Sequence, residues 1–262
     1  MIETMNPGSK ISSWPRAAVL AAVFTAFSVQ GSSAQDAGTA PDLPVEQVEE
    51  IVRDYLMREP EIIYQALEEL QRRQAAEQAE RQKQMLSSRQ DELVNDPATP
   101  VAGNPDGDVA LVEFFDYRCG YCRRVLSSMQ ALMEEDDQLK VVFKELPVLG
   151  EDSVRAARAA LASHMQDEGL YFDFHLALMS TNDLSAGGIR ALAADVGLDP
   201  DQLEQDMESD EVSKAIDANY QLASALGIEG TPAFVIGENL VPGAVDKERL
   251  AALIDEARTA TN

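Results

Sequence analysis

Cysteine and histidine are scarce in this sequence of 262 residues, which contains two of each. Two cysteines, Cys119 and Cys122, cannot build a small domain that several disulfides hold together. With only His164 and His175, a zinc site would need mainly carboxylate ligands, and we expect no metal site and no cofactor. Basic residues are also few, 21 Lys and Arg against 46 Asp and Glu, for a formal net charge of -25. This charge argues against nucleic acid as a partner, because binding phosphates needs clustered cations.

A short apolar run near the N-terminus predicts export. Residues 17–27 are apolar, follow Lys10 and Arg16, and precede small residues at 32–34. These are the features of a cleaved secretory signal peptide. The run is too short to span a bilayer comfortably, which takes about 20 residues. We therefore predict a signal peptide over residues 1–34 and a periplasmic mature protein, with an uncleaved membrane anchor as the alternative.

The spacing of the two cysteines, CGYC over 119–122, favours redox chemistry. A single C-x-x-C in an exported protein indicates a reactive pair rather than half of a zinc site. A helix that starts at Cys119 would stabilise its thiolate through unpaired N–H groups and the helix dipole. Cys122, nearly one turn later, would face the same side, so a disulfide between them opens and closes with little backbone movement. An inert disulfide is the alternative.

The N-terminal part of the mature chain reads as a linker followed by a helical region. Residues 35–44 are a Pro- and Gly-containing linker, and apolar residues at helical spacing then begin a region over 45–95. Pro60 interrupts the pattern. Beyond Leu70 the sequence has few apolar residues to bury, which is typical of a solvated helix or a connecting stalk. A turn-rich segment over 95–108 ends this region.

The remainder, 96–262, predicts an α/β sheet with an all-helical insertion. The strand VALVEFFD is followed by a helix that begins at the cysteines and by a second strand, LKVVFKELPV. Ala-rich segments and the Asp199-Pro200 cap indicate helices over about 151–227. AFVIG and LVPG then predict a strand pair, and Asp246 caps a last helix.

Two motifs carry a family resemblance. EFFDYRCGYCRR and GIEGTPAFVIGENLVPGAVDKERLAALI resemble the DsbA-type thiol-disulfide oxidoreductases of the thioredoxin superfamily, over about residues 100–258. The resemblance implies a thioredoxin fold that contains the helical block as an insertion. VEEIVRDYLMREPEIIYQALEELQ resembles the N-terminal domain of ScsC-like proteins, which implies self-association through 45–95.

The resemblance also assigns roles to individual residues. Cys119 and Cys122 match the nucleophilic and resolving cysteines. Thr231 and Pro232 match the cis-proline loop that lines the substrate cleft, where an extended substrate pairs with the backbone. Glu113 matches a buried acid that moves the proton of the resolving cysteine. The alternative for Glu113 is a strand residue facing solvent, which alternation does not settle.

The residues between the cysteines, Gly120 and Tyr121, bear on the direction of the chemistry. In this family such residues tune the thiolate, and the strongest oxidases have a Pro-His pair that this sequence lacks. Gly-Tyr, with Thr231 before the proline, resembles the disulfide isomerases and reductase-kept relatives. An isomerase benefits from several catalytic domains, so we expect a homo-oligomer through 45–95. The alternative is that the apolar stripes pack on the protein's own catalytic domain.

These observations predict an exported thiol-disulfide oxidoreductase that acts on cysteine-containing client proteins and is reset by a membrane redox partner. An isomerase or reductase is favoured, and a DsbA-like dithiol oxidase is the first alternative. A non-enzymatic holdase, or a protein that sequesters Cu(I) through paired thiolates, is the second.

Overall fold

A computed structural model of the chain describes residues 44–261. The predicted signal peptide, and all of the predicted linker except Pro44, lie outside the described residues. The helices are α1 (Val45–Arg58), α2 (Glu61–Ser88), α3 (Gln90–Val94), α4 (Gly120–Glu135), α5 (Glu151–Gln166), α6 (Glu168–Ser180), α7 (Ala186–Val196), α8 (Pro200–Met207), α9 (Asp210–Leu226) and α10 (Lys247–Thr261). The strands are β1 (Val101–Gly103), β2 (Val109–Phe115), β3 (Leu139–Glu145), β4 (Ala233–Ile236) and β5 (Asn239–Pro242).

The five strands form one mixed sheet in the order β1-β3-β2-β4-β5. The central strands β2 and β3 are parallel, and the other three pairings are antiparallel. The central pair is buried on both faces, which explains its nearly continuous apolar sequence. The predicted α/β fold is confirmed, with five helices, α5 to α9, inserted between β3 and β4.

One face of the sheet packs against α4, α10 and much of the insertion. Leu111 and Phe115 of β2 and Phe143 of β3 point into this cluster, which also includes both cysteines. Successive residues of a strand alternate between faces, so Glu113 shares the face of Leu111 and Phe115. The structure therefore places Glu113 in the interior, 2% exposed, rather than facing solvent.

The other face of the sheet is covered by a smaller cluster. Val112 and Phe114 of β2 pack here with Leu222 near the end of α9. Leu86 of α2 and Leu93 of α3 complete the cluster and are fully buried. The last part of the predicted helical region is thus built into the hydrophobic core.

The chain divides into two compact units at residue 62. In the first, α1 has no buried side chain, and its apolar stripe of Val48, Ile51 and Val52 is exposed. α1 ends just before Pro60, as the sequence predicts, because proline cannot continue a helix. In residues 44–261 no helix is long and apolar enough to cross a membrane.

The helix caps predicted from the sequence are present, whereas one strand of the structure was not predicted. The Asp199 side chain accepts hydrogen bonds from two backbone N–H groups of α8, and Asp246 accepts one from Arg249 N. The turn-rich segment over 95–108, however, contains β1, which pairs antiparallel with β3. Three residues are too few for a periodic pattern to reveal a strand.

Candidate functional site

The two cysteines lie where β2 turns into α4. Cys119 caps the helix in extended conformation, and Cys122 lies in its first turn. Both are free thiols, 6% and 1% exposed. Cys119 thus sits at the positive end of a 16-residue helix, while Cys122 lies in the first turn of that helix with its side chain in the core.

The loop before β4 lies directly opposite Cys119. The Cys119 Sγ donates a hydrogen bond to the Thr231 carbonyl oxygen at 3.3 Å, and the Thr231–Pro232 peptide bond is cis. A cleft of about 380 Å³ adjoins the loop, lined by apolar atoms of Pro232, Leu240 and Pro242 among others. The chain therefore brings together Cys119, Cys122, Thr231 and Pro232, across more than 100 residues of sequence.

Burial controls the protonation of the two groups beneath Cys119. Desolvation raises the pKa of Glu113 to about 8, because no solvent stabilises its charged form. Desolvation also raises the pKa of the Cys122 thiol, and the charge of Glu113 raises it further. Cys122 and Glu113 are therefore close enough to influence each other, and both favour their protonated forms.

Gly120 and Tyr121 form the exposed rim above the cysteines. A side chain at Gly120 would meet no atom within 4 Å, so space does not require glycine there. Tyr121 is 59% exposed, and the Arg124 guanidinium stacks on its ring at 4.1 Å. The Arg118 guanidinium donates a hydrogen bond to the Leu149 carbonyl oxygen at 2.8 Å. The site thus presents an aromatic ring and cations in an otherwise acidic protein.

Asp116, which the sequence analysis did not select, organises the turn before the cysteines. Its carboxyl oxygens accept hydrogen bonds from Arg118 N, Leu149 N and Ser153 Oγ. Its backbone carbonyl accepts from Cys119 N at 3.0 Å. An acid at the end of a buried strand, directly before the C-x-x-C turn, was the available signal.

A second group that the sequence analysis did not select is a buried polar cluster around Glu145. The hydroxyl groups of Tyr117 and Tyr171 each lie 3.3 Å from Glu145 Oε1, and Tyr117 Oη is 3.0 Å from His175 Nδ1. The sequence signal was an acid, Glu145, at the end of a predicted strand and two residues after Phe143, so that both side chains point to the same face of the sheet. His175 is fully buried, and its Nε2 has no hydrogen-bond partner among the described residues. Burial lowers the pKa of His175 to about 3, so its ring is neutral.

His164 lies near the end of α5. It is half-buried beside a cavity of about 570 Å³, and its Nδ1 has no hydrogen-bond partner. Desolvation lowers the pKa of His164. In the part of the chain that the structure describes, no group of three or more His, Cys, Asp or Glu side chains is arranged to hold a metal ion.

With this geometry established, comparison with known proteins is informative. A family model described as "DSBA-like thioredoxin domain" matches residues 110–255, more than half of the chain. A second model, "Copper resistance protein ScsC N-terminal domain", matches residues 45–77. Both resemblances that the sequence motifs indicated are confirmed.

Solved structures agree with the family models. A thioredoxin-like oxidoreductase from Silicibacter pomeroyi is 48% identical, with a TM-score of 0.62 over 64% of this chain and 97% of that one. The catalytic domain of Proteus mirabilis ScsC is 32% identical, with a TM-score of 0.62 over 68% and 98% of the two chains. These similarities confirm the thioredoxin fold with its helical insertion.

Curated relatives are more distant. The Na(+)/H(+) antiporter NhaA of Herminiimonas arsenicoxydans is 27% identical over 164 residues, 62% of this chain and 26% of that protein. The chain spans about a quarter of the length of the first such relatives that it matches.

Proposed function

The chain belongs to the DsbA-like thioredoxin domain family, and we propose that it is an exported thiol-disulfide oxidoreductase acting on cysteine-containing client proteins. One observation carries this proposal. Cys119 caps α4 with its Sγ 3.3 Å from the Thr231 carbonyl, directly above the buried Cys122. A nucleophile at a helix N-terminus, a second thiol behind it and a peptide-binding loop in front are what disulfide exchange requires.

The exchange proceeds in two displacement steps. The Cys119 thiolate attacks one sulfur of a client disulfide, so that the client S–S bond breaks, a mixed disulfide forms, and the second client sulfur leaves as a thiolate. The Cys122 thiolate then attacks Cys119 Sγ, which forms the Cys119–Cys122 disulfide and releases the client thiolate. The client gains two electrons and two protons. Reversing both steps oxidises a client dithiol instead.

Glu113 moves the proton that the second step requires. Because the pKa of Cys122 is raised, this thiol needs a base before it attacks. Ionised Glu113 accepts the proton, and neutral Glu113 returns it when the reaction runs in reverse. With its pKa raised to about 8, Glu113 has both forms available near neutral pH.

The client segment binds as an additional strand along the Thr231–Pro232 loop. Backbone pairing at Thr231 tolerates many client sequences, because it uses no client side chain. Tyr121 and Leu149 are exposed on this side of the molecule and offer apolar contact to unfolded chain. This arrangement suits an enzyme with many clients.

We assign the favoured direction as isomerisation or reduction, with dithiol oxidation as the alternative. Gly120 and Tyr121, together with Thr231 before the proline, support this direction through the family resemblance. The predicted signal peptide supports a periplasmic location, where a membrane redox partner resets the active site. Of the predicted oligomerisation region, 45–95, the part that precedes the buried Leu86 serves as an arm for homo-oligomerisation, which the match of 45–77 to a ScsC N-terminal model supports.

Two ribonuclease assays test the direction. We expect the purified protein to reactivate scrambled ribonuclease faster than it oxidises reduced ribonuclease. Cys119→Ser should lose both activities, because no nucleophile remains. Rapid oxidation without reactivation would show the oxidase to be the right assignment, and a fully active Cys119→Ser would remove Cys119 from the mechanism.

Copper sequestration or client holding is the second candidate, favoured by the copper-resistance description of the N-terminal family model. Two thiols in one helical turn offer a soft site for Cu(I). This role predicts Cu(I) binding by the reduced protein that is lost in Cys119→Ala/Cys122→Ala, with client protection unchanged in that variant. Failure of the wild-type protein to bind Cu(I) or protect clients would eliminate it.

A further inference from the structure

Glu145 is a buried acid that the exchange mechanism does not use. It ends β3, is 1% exposed, and lies on the sheet face that carries Glu113. Its Oε1 contacts the hydroxyl groups of Tyr117 and Tyr171, both at 3.3 Å. Its Oε2 has no hydrogen-bond partner within residues 44–261. A buried carboxyl with one vacant oxygen requires an explanation.

The contacts of Glu145 indicate a neutral carboxylic acid. Hydroxyl donors approach an ionised carboxylate to about 2.5–2.7 Å, well short of the 3.3 Å found here. An ionised Glu145 would also leave Oε2 bare, and no Lys or Arg of residues 44–261 pairs with it. Burial accordingly raises the pKa of Glu145 well above its ordinary value.

The cluster connects Glu145 to the cysteines through Tyr117. The Tyr117 hydroxyl lies between Glu145 and His175, which fixes the buried ring from two sides. The backbone carbonyl of Tyr117 accepts hydrogen bonds from Arg123 Nε at 3.1 Å and Nη2 at 3.0 Å. Arg123 follows Cys122 directly in the first turn of α4.

We propose that Glu145 is a positioning residue for the cysteine pair: as a neutral acid it fixes Tyr117, and Tyr117 holds Arg123 beside the pair. The proposal rests on the thiol-disulfide exchange proposed above. In general, a cation beside a cysteine pair favours the reduced form of the pair. Releasing Arg123 shifts the equilibrium toward the Cys119–Cys122 disulfide.

A neutral Glu145 also places no negative charge near Glu113, the acid beneath the cysteines. Titratable groups face Glu145 from β2, from the turn after it and from α6: Glu113, Asp116, Tyr117, Tyr171 and His175. From α9, Asn219 Nδ2 donates to the Glu145 backbone carbonyl at 3.1 Å and brings no charge. An ionised Glu145 would repel Glu113, whereas a neutral one leaves Glu113 free to titrate near neutral pH.

Equilibration with glutathione tests the proposal on the full chain. In this assay two glutathione thiols reduce the Cys119–Cys122 disulfide and yield one glutathione disulfide. We expect Glu145→Leu to shift the equilibrium constant about tenfold toward the protein disulfide, about 30 mV, and Tyr117→Phe to shift it in the same direction. Glu145→Gln keeps the shape and the neutral charge, so its shift should stay below about threefold.

The outcomes separate the inference from the proposed function. Unchanged equilibria in Glu145→Leu and Tyr117→Phe would overturn the positioning role, and a shift in Glu145→Gln as large as in Glu145→Leu would overturn the neutral-acid assignment. A wild-type protein that does not equilibrate with glutathione at all would overturn the proposed function, and the inference with it. Circular dichroism of each variant establishes that the comparison is between folded proteins.

Infrared spectroscopy tests the protonation state directly. In a Glu113→Gln background at neutral pH, we expect a carbonyl stretching band of a buried protonated carboxyl group that disappears in Glu113→Gln/Glu145→Gln. If the single variant lacks this band, Glu145 is ionised and the proposal is wrong.

Discussion

Glu113 shows how the fold tunes a single carboxyl group. It lies on the central strand of the sheet, where water cannot solvate its charge, and desolvation alone raises the pKa of Glu113 to about 8. An unfolded chain would release this proton at pH about 4.5. The buried proton therefore makes folding stability depend on pH.

Glu113→Gln should remove part of that dependence. Between pH about 4.5 and about 8 the unfolded state binds fewer protons than the native state, so wild-type stability falls as pH rises. In denaturant unfolding across this range, the free energy of unfolding should fall by up to ~5 kcal/mol more for the wild type than for the variant. Glu208→Gln, at an exposed position, is the matched control. Parallel stability curves for wild type and Glu113→Gln would mean that Glu113 ionises in the fold at ordinary pH.

The different surroundings of the two cysteines make a second prediction. Cys122→Ser keeps the nucleophile at the helix N-terminus but removes the resolving thiol, so the mixed disulfide has no internal route to collapse. We expect client-linked protein on non-reducing gels for Cys122→Ser and none for Cys119→Ser. If client were trapped on Cys119→Ser instead, Cys122 would be the nucleophile and Cys119 the resolving cysteine.

At the scale of elements, α2 changes character along its length. Its middle turns are exposed and carry ion pairs between neighbouring turns, such as Glu69 with Arg73. Near its end, Lys83 pairs with Glu238 at 3.0 Å, and Leu86 enters the core under β2. Hydrophobic burial at this end contributes far more stability than the exposed ion pairs, which water and salt screen.

Leu86→Ala and Met85→Ala compare the two sides of that helix end. Truncating the buried Leu86 should lower the free energy of unfolding by ~3 kcal/mol, since it removes apolar contacts and leaves a cavity. Truncating its 40%-exposed neighbour Met85 should cost less than about 1 kcal/mol. Urea titrations measure both, and equal losses would contradict the packing of α2 into this core.

The whole molecule consists of a compact unit from residue 63 onward and a preceding segment that contains α1. A helix whose apolar stripe has no cover, in Val48, Ile51 and Val52, calls for another surface to pack against. We propose that a second copy of the chain supplies that surface. The buried Leu86 and Leu93 show that a deletion meant to remove the arm should stop before them.

Light scattering on the mature chain, with and without residues 35–62, measures the oligomeric state. We expect an oligomeric mass that falls to the monomer when 35–62 are removed. Ile51→Asp in the full mature chain is the point-variant counterpart and should also give monomers, because a charge in an apolar interface is costly. Monomers in every case would contradict the arm's role.

Much of this organisation was predictable, because local patterns are strong where burial is complete. The run VALVEFF and the run LKVVFKE predicted β2 and β3, and the proline at 60 predicted the break between α1 and α2. The cluster of Tyr117, Glu145, Tyr171 and His175 was not predictable, because its hydrogen bonds join residues 26 to 58 positions apart that come together only in the folded protein. β1 was missed because three residues carry no periodicity.

The two edges of the sheet bear on how the protein meets other extended chains. β1 and β5 are the outer strands, three and four residues long, and β5 ends at Pro242, which has no N–H to donate. Gly103 ends β1 with a positive φ of 73°, which turns the backbone away. Short, interrupted edges offer little template for sheet growth, so we expect this protein to resist edge-to-edge pairing with other extended chains.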